Sequence, residues 1–367
     1  MTWHDYTGVI HLHSSYSFDG RTSVPDILSA ARANGIDFLM LTDHQTLQAR
    51  HDGYEGWHGN TLLIVGQEIS PRFNHYLAFG LQVPIVIPED ETSIPPQTYI
   101  DAVRTQGGLG FIAHPDHLGA KLFHVKHYPW LDWTVTGYNG FGIWDFMTDW
   151  QSSLKNIPAA LFSYLFPALT LQGPRQVTLE RWDRLNQEGP VVGFGELDNH
   201  NTLRKFFGLR FSIFPFPRAF KFLRTHLLTD APLTGDSEKD IRTLLSALES
   251  GKAYVAQEYF QRAKGFAFTM ADETQVVTMG DDLLPNGHVT ASVLTPRTGK
   301  IRLVRNGKLY HEALSRRIDL PIDHDGLYRI EVDLRVLGKY RPWIFSNPIY
   351  VGKRTCSCRP NSCPLEP

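Results

Sequence analysis

The sequence contains very little cysteine. Its three cysteines, Cys356, Cys358 and Cys363, all lie in the last dozen residues of the 367-residue chain. The rest of the protein therefore has no cysteine pair that could form a disulfide, and packing and polar contacts must stabilise it. This composition excludes the class of small extracellular proteins that are held together by disulfides.

Long hydrophobic runs and an excess of one charge are also missing. The most apolar stretch, 157–171, is interrupted by Pro158, Ser163 and Pro167 and is shorter than the roughly 20 residues of a membrane-spanning helix. The 36 basic and 38 acidic residues nearly cancel, which argues against nucleic-acid or membrane binding driven by bulk charge. The first residues do not resemble a secretory signal. We therefore expect a soluble, cytoplasmic protein that binds neither nucleic acids nor membranes.

Short apolar runs alternate with helical patterns over the first two-thirds of the chain. The runs 8–10, 36–42, 61–65, 109–113 and 191–195 predict buried strands, and each is followed within a few residues by His, Asp or Glu. Helices are predicted from about 23 to 35, over 99–106 and over 178–187. Such alternation is typical of parallel strands covered by helices, in which functional groups gather at the carboxyl ends of the strands.

The pattern changes near residue 255. A helix over 237–250 is followed by alternating strand patterns and by a predicted hairpin around Asn306 and Gly307. We predict a first domain over 1–255, a small antiparallel β-sandwich over 256–352 and a disordered tail over 353–367. The aromatic-rich segment 115–174 allows two interpretations, which are an insertion that covers the site and the ordinary core of a larger barrel.

Nine residues that follow the predicted strands have the chemistry of metal ligands. His11 and His13 are two positions apart, so that on an extended chain both imidazoles point to the same side. Histidines and carboxylates without thiolates suit Zn, Mn or Fe. Asp43 is expected to orient a histidine rather than to bind a metal. The nine candidate ligands are His11, His13, Asp19, His44, Glu68, His75, His114, Asp198 and His200.

These motifs resemble, in order, those of the polymerase-and-histidinol-phosphatase (PHP) superfamily. The resemblance includes His11-Leu-His13, Thr42-Asp-His44, Gly66-Gln-Glu68, Ala113-His-Pro115 and Glu196-Leu-Asp-Asn-His200, and it covers roughly residues 7–255. The end of the chain, with Gly251-Lys-Ala-Tyr254 and the segment 341–351, is similar to the branch grouped with a carbaryl-type ester hydrolase. The resemblance implies an α/β fold, a distorted (β/α)7 barrel followed by the β-sandwich domain.

The resemblance also implies a site for two or three divalent ions. His11, His13, Glu68 and Asp198 would hold the first ion and carry the catalytic role, Glu68, His75 and His114 the second, and Asp19, His44 and His200 the third. A water bridging two such ions loses a proton near neutral pH and attacks the substrate. We expect a phosphoesterase that acts on a small phosphate ester of the nucleotide or sugar phosphate class.

Two alternatives remain at this stage. The same site could hydrolyse a carboxylic or carbamate ester, and the chain could be a degenerate metal-binding module that works through its β-domain. Arg21, His117 and Lys121 are candidates for binding the substrate because they lie close in sequence to the ligand motifs.

Overall fold

Strands and helices alternate up to residue 257, and strands dominate beyond it. The computed structural model describes residues 3–87, 94–206 and 209–352. The helices are α1 (Val24–Ala33), α2 (Gln48–His51), α3 (Pro96–Thr105), α4 (Phe146–Ser152), α5 (Ile157–Leu165), α6 (Gln176–Glu188), α7 (Phe216–Ala219) and α8 (Ser237–Glu249). Single 3-10 turns lie at Lys121–Phe123 and Pro167–Leu169.

The strands are numbered in chain order. The first ten are β1 (His4–Leu12), β2 (Phe38–His44), β3 (Gly56–His58), β4 (Thr61–Ile69), β5 (Tyr76–Phe79), β6 (Leu109–Ile112), β7 (Gly140–Asp145), β8 (Val192–Asn199), β9 (Leu203–Phe206) and β10 (Leu209–Ser212). The others are β11 (Leu223–Thr229), β12 (Ala253–Gln257), β13 (Ala267–Ala271), β14 (Val276–Thr278), β15 (Asp282–Leu283), β16 (Val289–Arg305), β17 (Lys308–Ile322), β18 (Gly326–Val336), β19 (Lys339–Ser346) and β20 (Ile349–Val351).

Seven strands close a barrel. Hydrogen bonds link them in the order β1, β2, β4, β5, β6, β7 and β8, and β8 pairs again with β1. The pairs at β1–β2, β2–β4, β6–β7, β7–β8 and β8–β1 are parallel, as the sequence predicts. The expected distorted seven-stranded barrel is therefore confirmed.

Strand β5 departs from the predicted parallel arrangement. It runs antiparallel to both β4 and β6. Only residues 70–75 connect β4 to β5, and a parallel crossover needs a connection of about a dozen residues or more. The short connection thus forces the reversal, and it brings His75 to the same end of the barrel as Glu68.

The helices begin and end where the sequence predicts them. The Ser23 side chain caps α1 by accepting a hydrogen bond from the Asp26 backbone N–H, and Pro25 lies in the first turn. Gly35, just after the helix, has a φ of +63°, a conformation that a residue with a Cβ rarely adopts. Helices α3, α6 and α8 match their predicted positions within a few residues. In the described residues, no helix is long and apolar enough to cross a membrane.

Alternate residues of the barrel strands fill its interior. Phe38, Leu62, Phe79 and Phe194 belong to one buried cluster, and Leu244 of α8 packs against it. The opposite faces of the strands pack against α1 and α3 in a larger cluster. Because side chains alternate along a strand, the interior face of β4 that carries Leu62 also carries Glu68 at its carboxyl end. The apolar core of the barrel thus forms the floor of the polar site.

The aromatic-rich segment 115–174 contributes to the barrel itself. It contains the completely buried strand β7, which pairs with β6 and β8. The same segment also contains α4, α5 and long loops. A barrel strand therefore lies between two stretches of surrounding structure, and an insertion that covers the site stays a prediction.

The strands beyond β12 form a β-structure with a core of its own, antiparallel except for the parallel pair of β15 and β20. Strand β16 pairs with β13, β17 and β18, while β18 also pairs with β19 and β20. The predicted hairpin is present, because Asn306 and Gly307 join β16 to β17 with φ angles of +49° and +77°. The tail predicted to be disordered, 353–367, lies outside the described residues, and the exact domain boundaries stay a prediction.

A buried ion pair joins this β-structure to the barrel helices. The guanidinium of Arg329 in β18 donates to both carboxylate oxygens of Asp183 in α6, at 2.6 and 2.8 Å. Asn347 also bonds with its side chain to Gly193 of β8 and to Ala253 of β12. Both contacts satisfy polar groups that would otherwise be buried without partners.

A second buried polar cluster lies at the junction of β1, β11 and β12. His226 is fully buried, with Nδ1 2.7 Å from Asp5 Oδ1 and Nε2 3.1 Å from Glu258 Oε1. Burial alone would lower the pKa of His226, but the carboxylates of Asp5 and Glu258 outweigh burial and raise it to about 9. A protonated His226 therefore bridges the two carboxylates.

This cluster predicts a specific dependence of stability on pH. Because the pKa of His226 is about 9 in the folded protein and about 6.5 when unfolded, its contribution is complete below pH ~6.5. The contribution is lost as the pH rises through the folded value. Denaturant titrations of the wild type should show a loss on the order of 2 to 3 kcal/mol over this range that His226→Gln lacks.

The exposed His288 provides the matched control. His288→Gln should keep the pH dependence of the wild type. An identical pH profile for the wild type and His226→Gln would contradict the assignment.

Candidate metal centre

All nine predicted ligands converge at one end of the barrel. His11 and His44 lie at or near the ends of β1 and β2, Glu68 near the end of β4, and Asp198 near the end of β8. His200 directly follows β8, and His114 lies two residues after β6. His75 immediately precedes the reversed strand β5. The structure therefore brings these residues together near the carboxyl ends of the strands, and their role as metal ligands stays a prediction.

The Glu68 carboxylate is the centre of the cluster. It is buried, and imidazole nitrogens surround both of its oxygens. Its Oε2 lies 3.4 Å from His11 Nε2, 3.4 Å from His13 Nε2 and 3.2 Å from His44 Nδ1, and its Oε1 lies 2.9 Å from His75 Nδ1 and 3.3 Å from His114 Nε2. A single carboxylate placed in this way can bridge two cations.

Asp198 and Asp19 complete the cluster on the other side. Asp198 Oδ1 lies 3.4 Å from His11 Nε2 and 3.5 Å from His13 Nε2. Asp19 Oδ2 lies 3.4 Å from His44 Nε2 and 3.2 Å from His200 Nε2. His200 lies between the two carboxylates, because its Nδ1 is also 3.7 Å from Asp198 Oδ1.

Among the described residues, three groups have ligand atoms within 4.8 Å of one another. The first contains His11, His13 and Asp198, the second His11, Glu68 and His114, and the third His13, Asp19, His44 and His200. They correspond closely to the three sets implied by the resemblance. His75 is in none of these groups and contacts Glu68 Oε1 directly. The assignment of each ligand to an ion stays a prediction.

Several ligand atoms lack a hydrogen-bond partner although they are buried. They include Nε2 of His11, Nε2 of His13 and Oδ1 of Asp19. A buried polar atom without a partner costs roughly 1–3 kcal/mol, and proteins seldom leave several together. Imidazole nitrogens and carboxylate oxygens are the ligands of Zn, Mn and Fe. The residues present therefore fit divalent cations.

The electrostatics of the cluster also favour cations. Burial alone would raise the pKa of Glu68, but the imidazoles of His11, His75 and His44 outweigh burial and hold it well below the usual value. Burial, with the neighbouring His200 and His44, lowers the pKa of His13 to about 3. Glu68 is therefore ionised and His13 neutral near pH 7, which are the forms that bind a metal. Burial alone would lower the pKa of His11, but Glu68 and Asp198 raise it well above its usual value, so a cation would replace a proton there.

The backbone is unusual at three of the candidate ligands. His11, His114 and Asp198 have φ angles of +67°, +27° and +46°, which are uncommon for residues other than glycine. The pairing of β1 with β8 is irregular at His11. The expectation that His11 and His13 share a regular extended chain is therefore wrong in detail, although both imidazoles face the same carboxylates. Such strained positions cluster at functional sites.

Glu196 is a functional residue that the sequence reasoning missed. Its Oε2 accepts a hydrogen bond from His11 Nδ1 at 2.8 Å, and its Oε1 accepts one from the His114 backbone N–H at 2.8 Å. It thereby turns Nε2 of His11 towards Glu68 and Asp198. A Cβ on Gly142 would overlap the Glu196 carboxylate, so this position requires glycine. The position of Glu196 two residues before Asp198 on β8 was the available signal.

Asp43 has the supporting role that the sequence suggested. Its carboxylate accepts hydrogen bonds from the Ser14 backbone N–H and hydroxyl, both at 2.6 Å, and from the Ser17 hydroxyl at 3.0 Å. The Ser17 hydroxyl lies 3.1 Å from His13 Nδ1. Asp43 therefore positions His13 through Ser17 and does not approach the ligand groups itself.

Asp145 is a second residue that the sequence reasoning missed. It ends β7, and its carboxylate caps α4 by accepting from the backbone N–H groups of Met147 and Thr148. Burial, together with the nearby carboxylates of Asp198 and Glu196, raises the pKa of Asp145 to about 7. The apolar run Gly140–Trp144 is followed by an acidic residue, as the other barrel strands are. The many aromatic residues of the surrounding segment made this strand pattern hard to recognise.

A cavity of about 320 Å³ adjoins the cluster. His114 and Asp145 line it on the side of the cluster, and Asp149, Gln172 and Arg175 line it elsewhere. Its volume is within the range of about 300–1,000 Å³ that is typical of sites for small molecules. Polar groups on several sides would favour a polar ligand.

The three predicted substrate contacts have different positions. His117 is buried, lines the cavity, and has its ring 5.4 Å from that of His114. Its Nδ1 accepts a hydrogen bond from the Tyr128 backbone N–H. Arg21 and Lys121 have exposed side chains, and among the described contacts neither touches a cluster residue. The structure therefore brings only His117 to the cavity.

Residues 10–104 match the family model of the PHP domain. A comparison with curated proteins gives no match. Solved structures with some similarity include a two-domain protein from Bacteroides vulgatus that contains a predicted PHP-like metal-dependent phosphoesterase. It is 14% identical to this chain, with a TM-score of 0.41, and the match covers 94% of this chain and 95% of that chain. Another, from Bifidobacterium adolescentis, is described as a metal-dependent phosphoesterase, with 15% identity, coverage of 65% of this chain and 95% of that chain, and a TM-score of 0.31.

The match over residues 10–104 confirms the predicted PHP resemblance for the part of the chain that contains His11, His44 and Glu68. These TM-scores are low. The barrel is therefore defined by the strand pairings of this chain alone. The similarity of the end of the chain to the carbaryl-hydrolase branch stays a prediction.

The role of Glu196 can be tested by metal binding. Glu196→Gln keeps the side-chain shape but removes the charge that holds His11, so affinity for Zn or Mn should fall by about 10–100-fold. Gly142→Ala should lower the affinity similarly, because its Cβ would displace the Glu196 carboxylate. Isothermal titration of the metal-free protein measures both.

Glu180→Gln, at an exposed position on α6, is the matched control and should bind metal like the wild type. Unchanged affinity in Glu196→Gln would contradict the assigned role.

Proposed function

We propose, from the PHP-domain match over residues 10–104, that this chain is a metal-dependent hydrolase of phosphate esters. One observation carries the proposal. Nε2 of His11 and Nε2 of His13 are buried without hydrogen-bond partners, and both face the carboxylates of Glu68 and Asp198 at 3.4–3.5 Å. A cation between these four groups would satisfy all of them at once.

The residues suggest how two or three ions would be held. His11, His13, Glu68 and Asp198 would hold the first, Glu68, His75 and His114 the second, and Asp19, His44 and His200 the third. The donor set suits Zn, Mn or Fe. Such ions, when bound, would supply a nucleophilic hydroxide near neutral pH and would neutralise charge on the phosphate oxygens.

The side chains of the protein perform the remaining tasks. Glu196 orients His11, and Ser17 and Asp43 orient His13. His117 and Arg175 line the adjoining cavity and can donate hydrogen bonds to a polar substrate. The apolar floor formed by the barrel interior excludes water from one side of the site. This arrangement holds the reacting groups in place before the substrate arrives.

The cavity supports a small polar substrate, such as a nucleotide or a sugar phosphate. Its lining includes Asp116, Thr148, Gln172 and Thr178 in addition to Arg175. Arg175 can interact with an anionic phosphate oxygen, which a neutral carbamate ester does not offer, and Ile143 and Trp144 can pack against the apolar face of a sugar or base. For this reason we place hydrolysis of a carboxylic or carbamate ester second. A degenerate binding module is third, because all nine ligand positions are kept.

An assay with three chromogenic esters separates these functions. Metal-loaded protein should hydrolyse p-nitrophenyl phosphate or its bis-ester much faster than p-nitrophenyl acetate, and chelation should abolish the activity. Acetate turnover without phosphate turnover would favour the carboxylic ester hydrolase instead. No turnover of any ester by protein with measured metal content would favour the binding module.

Substitution of two ligands tests whether the activity belongs to this site. His11→Ala and Asp198→Ala should each lower kcat/KM by about 100-fold or more, because each removes a cation ligand. His288→Ala, an exposed histidine remote in sequence from the ligands, is the control. Full activity of both ligand variants, with confirmed folding, would exclude the proposed centre.

A further inference from the structure

Helix α5 exposes a broad apolar side. Ile157, Leu161 and Leu165 recur at intervals of four residues, so they share one side of the helix, and Phe162 and the C-cap residue Phe166 widen this apolar area. The exposed fractions are 58% for Ile157, 60% for Leu161, 48% for Phe162, 53% for Leu165 and 51% for Phe166. Soluble proteins rarely leave a contiguous apolar patch of this kind without a function.

The hairpin of β9 and β10 extends this exposed area. The Tyr164 hydroxyl of α5 donates to the Ser212 carbonyl oxygen at 2.8 Å, and the rings of Tyr164 and Phe211 are in contact. Leu203, at the start of β9, is 42% exposed. Leu203 and Arg210 lie on one face of this hairpin, and Arg204 lies on the other, beside Phe211. We call the exposed apolar residues of 157–166, together with Leu203, Arg204 and Arg210 on the two faces of the hairpin, the α5 surface.

The two segments that carry the α5 surface contain basic residues but no acidic ones. Segments 150–175 and 201–222 together contain seven Lys or Arg residues and no Asp or Glu, although the whole chain has more acidic than basic residues. Lys155, Arg204 and Arg210 have exposed side chains. This surface combines exposed Leu, Ile and Phe side chains with charged residues that are all basic. It would attract an anionic partner that also has an apolar region in which these side chains can be buried.

The α5 surface lies at the end of the barrel that carries the candidate metal centre. Helices α4 and α5 follow the carboxyl end of β7, and the hairpin follows that of β8. His200 of the cluster is three residues before Leu203, and Asn201 bonds to Thr22 in the loop after β1. Docking through this surface would therefore bring the end of the barrel with the site close to the partner.

We propose that the α5 surface docks onto an anionic lipid bilayer, with the apolar side chains in the interface and the basic side chains at the phosphate headgroups. Such interfacial binding combines buried apolar area with attraction to anionic lipid. The balanced charge of the whole chain led us to expect no membrane partner, and this proposal departs from that expectation because of the local distribution of charge. The proposal is independent of the reaction at the metal centre.

Two other occupants fit the observations less well. In a symmetric dimer this surface would face its own copy, so its basic residues would meet basic residues. A nucleic acid would use the basic residues and stack on aromatic rings, but it gains little from Ile157, Leu161 and Leu165. Aliphatic side chains beside cations match a bilayer better than either.

Sedimentation with lipid vesicles tests the proposal on the full chain. Phosphatidylcholine vesicles that contain phosphatidylglycerol should bind the wild type at low salt, and pure phosphatidylcholine vesicles should bind it much more weakly. Raising the salt concentration should weaken binding because it screens the basic residues. The double variants Leu161→Glu/Leu165→Glu and Arg204→Glu/Arg210→Glu should each lower the partition coefficient by about tenfold or more.

A matched control uses exposed leucines far along the chain, in β17. Leu309 and Leu314 are each 60% exposed, and Leu309→Glu/Leu314→Glu should bind vesicles like the wild type. Failure of the wild type to bind anionic vesicles, equal binding to both vesicle types, or full binding by the α5 variant would each overturn the proposal. The proposal would also be overturned if the protein did not bind vesicles and these substitutions instead abolished a dimer or a complex with an oligonucleotide.

Discussion

The buried Glu68 carboxylate is the contact on which the candidate site depends. Five imidazoles surround its two oxygens at 2.9–3.4 Å. An ionised carboxylate in a protein interior is costly unless it is paired, so the histidines and the cations they would hold have to be brought to it together. Five separate strands or loops supply these groups, which means that the barrel must close correctly before the carboxylate is satisfied.

The second layer of contacts makes this arrangement precise. Glu196 joins His11 to the backbone of His114, and Asp43 reaches His13 through Ser17. The positive φ angles of His11, His114 and Asp198 add strain that the surrounding strand pairing has to hold. Such a site is rigid because a misplaced imidazole would lose both its carboxylate and its orienting partner.

The two halves of the molecule share a continuous hydrogen-bonded sheet. The first part of β1 pairs with β11, while its last part pairs with β8 of the barrel. Strand β11 continues to β12, and β12 pairs with β19 of the β-structure. The His226 cluster lies at this junction, and the Arg329–Asp183 pair links β18 to α6. The β-structure is therefore an extension of the barrel wall.

Much of the fold and most of the ligands could be predicted from the sequence. Local patterns determine which residues form helices and strands, because hydrophobic periodicity and capping act over a few residues. The same patterns placed Glu68, His114 and Asp198 at or just after the ends of strands. These three residues were therefore expected to gather at one end of a barrel. Only the tertiary structure decided that β5 runs backwards, that β7 lies in the aromatic segment, and that Glu196 and Asp145 face the cluster. It also decided that α5 leaves its apolar side exposed beside unbalanced basic charge. These features depend on chain reversals and on contacts between residues far apart in sequence, which a local pattern does not contain.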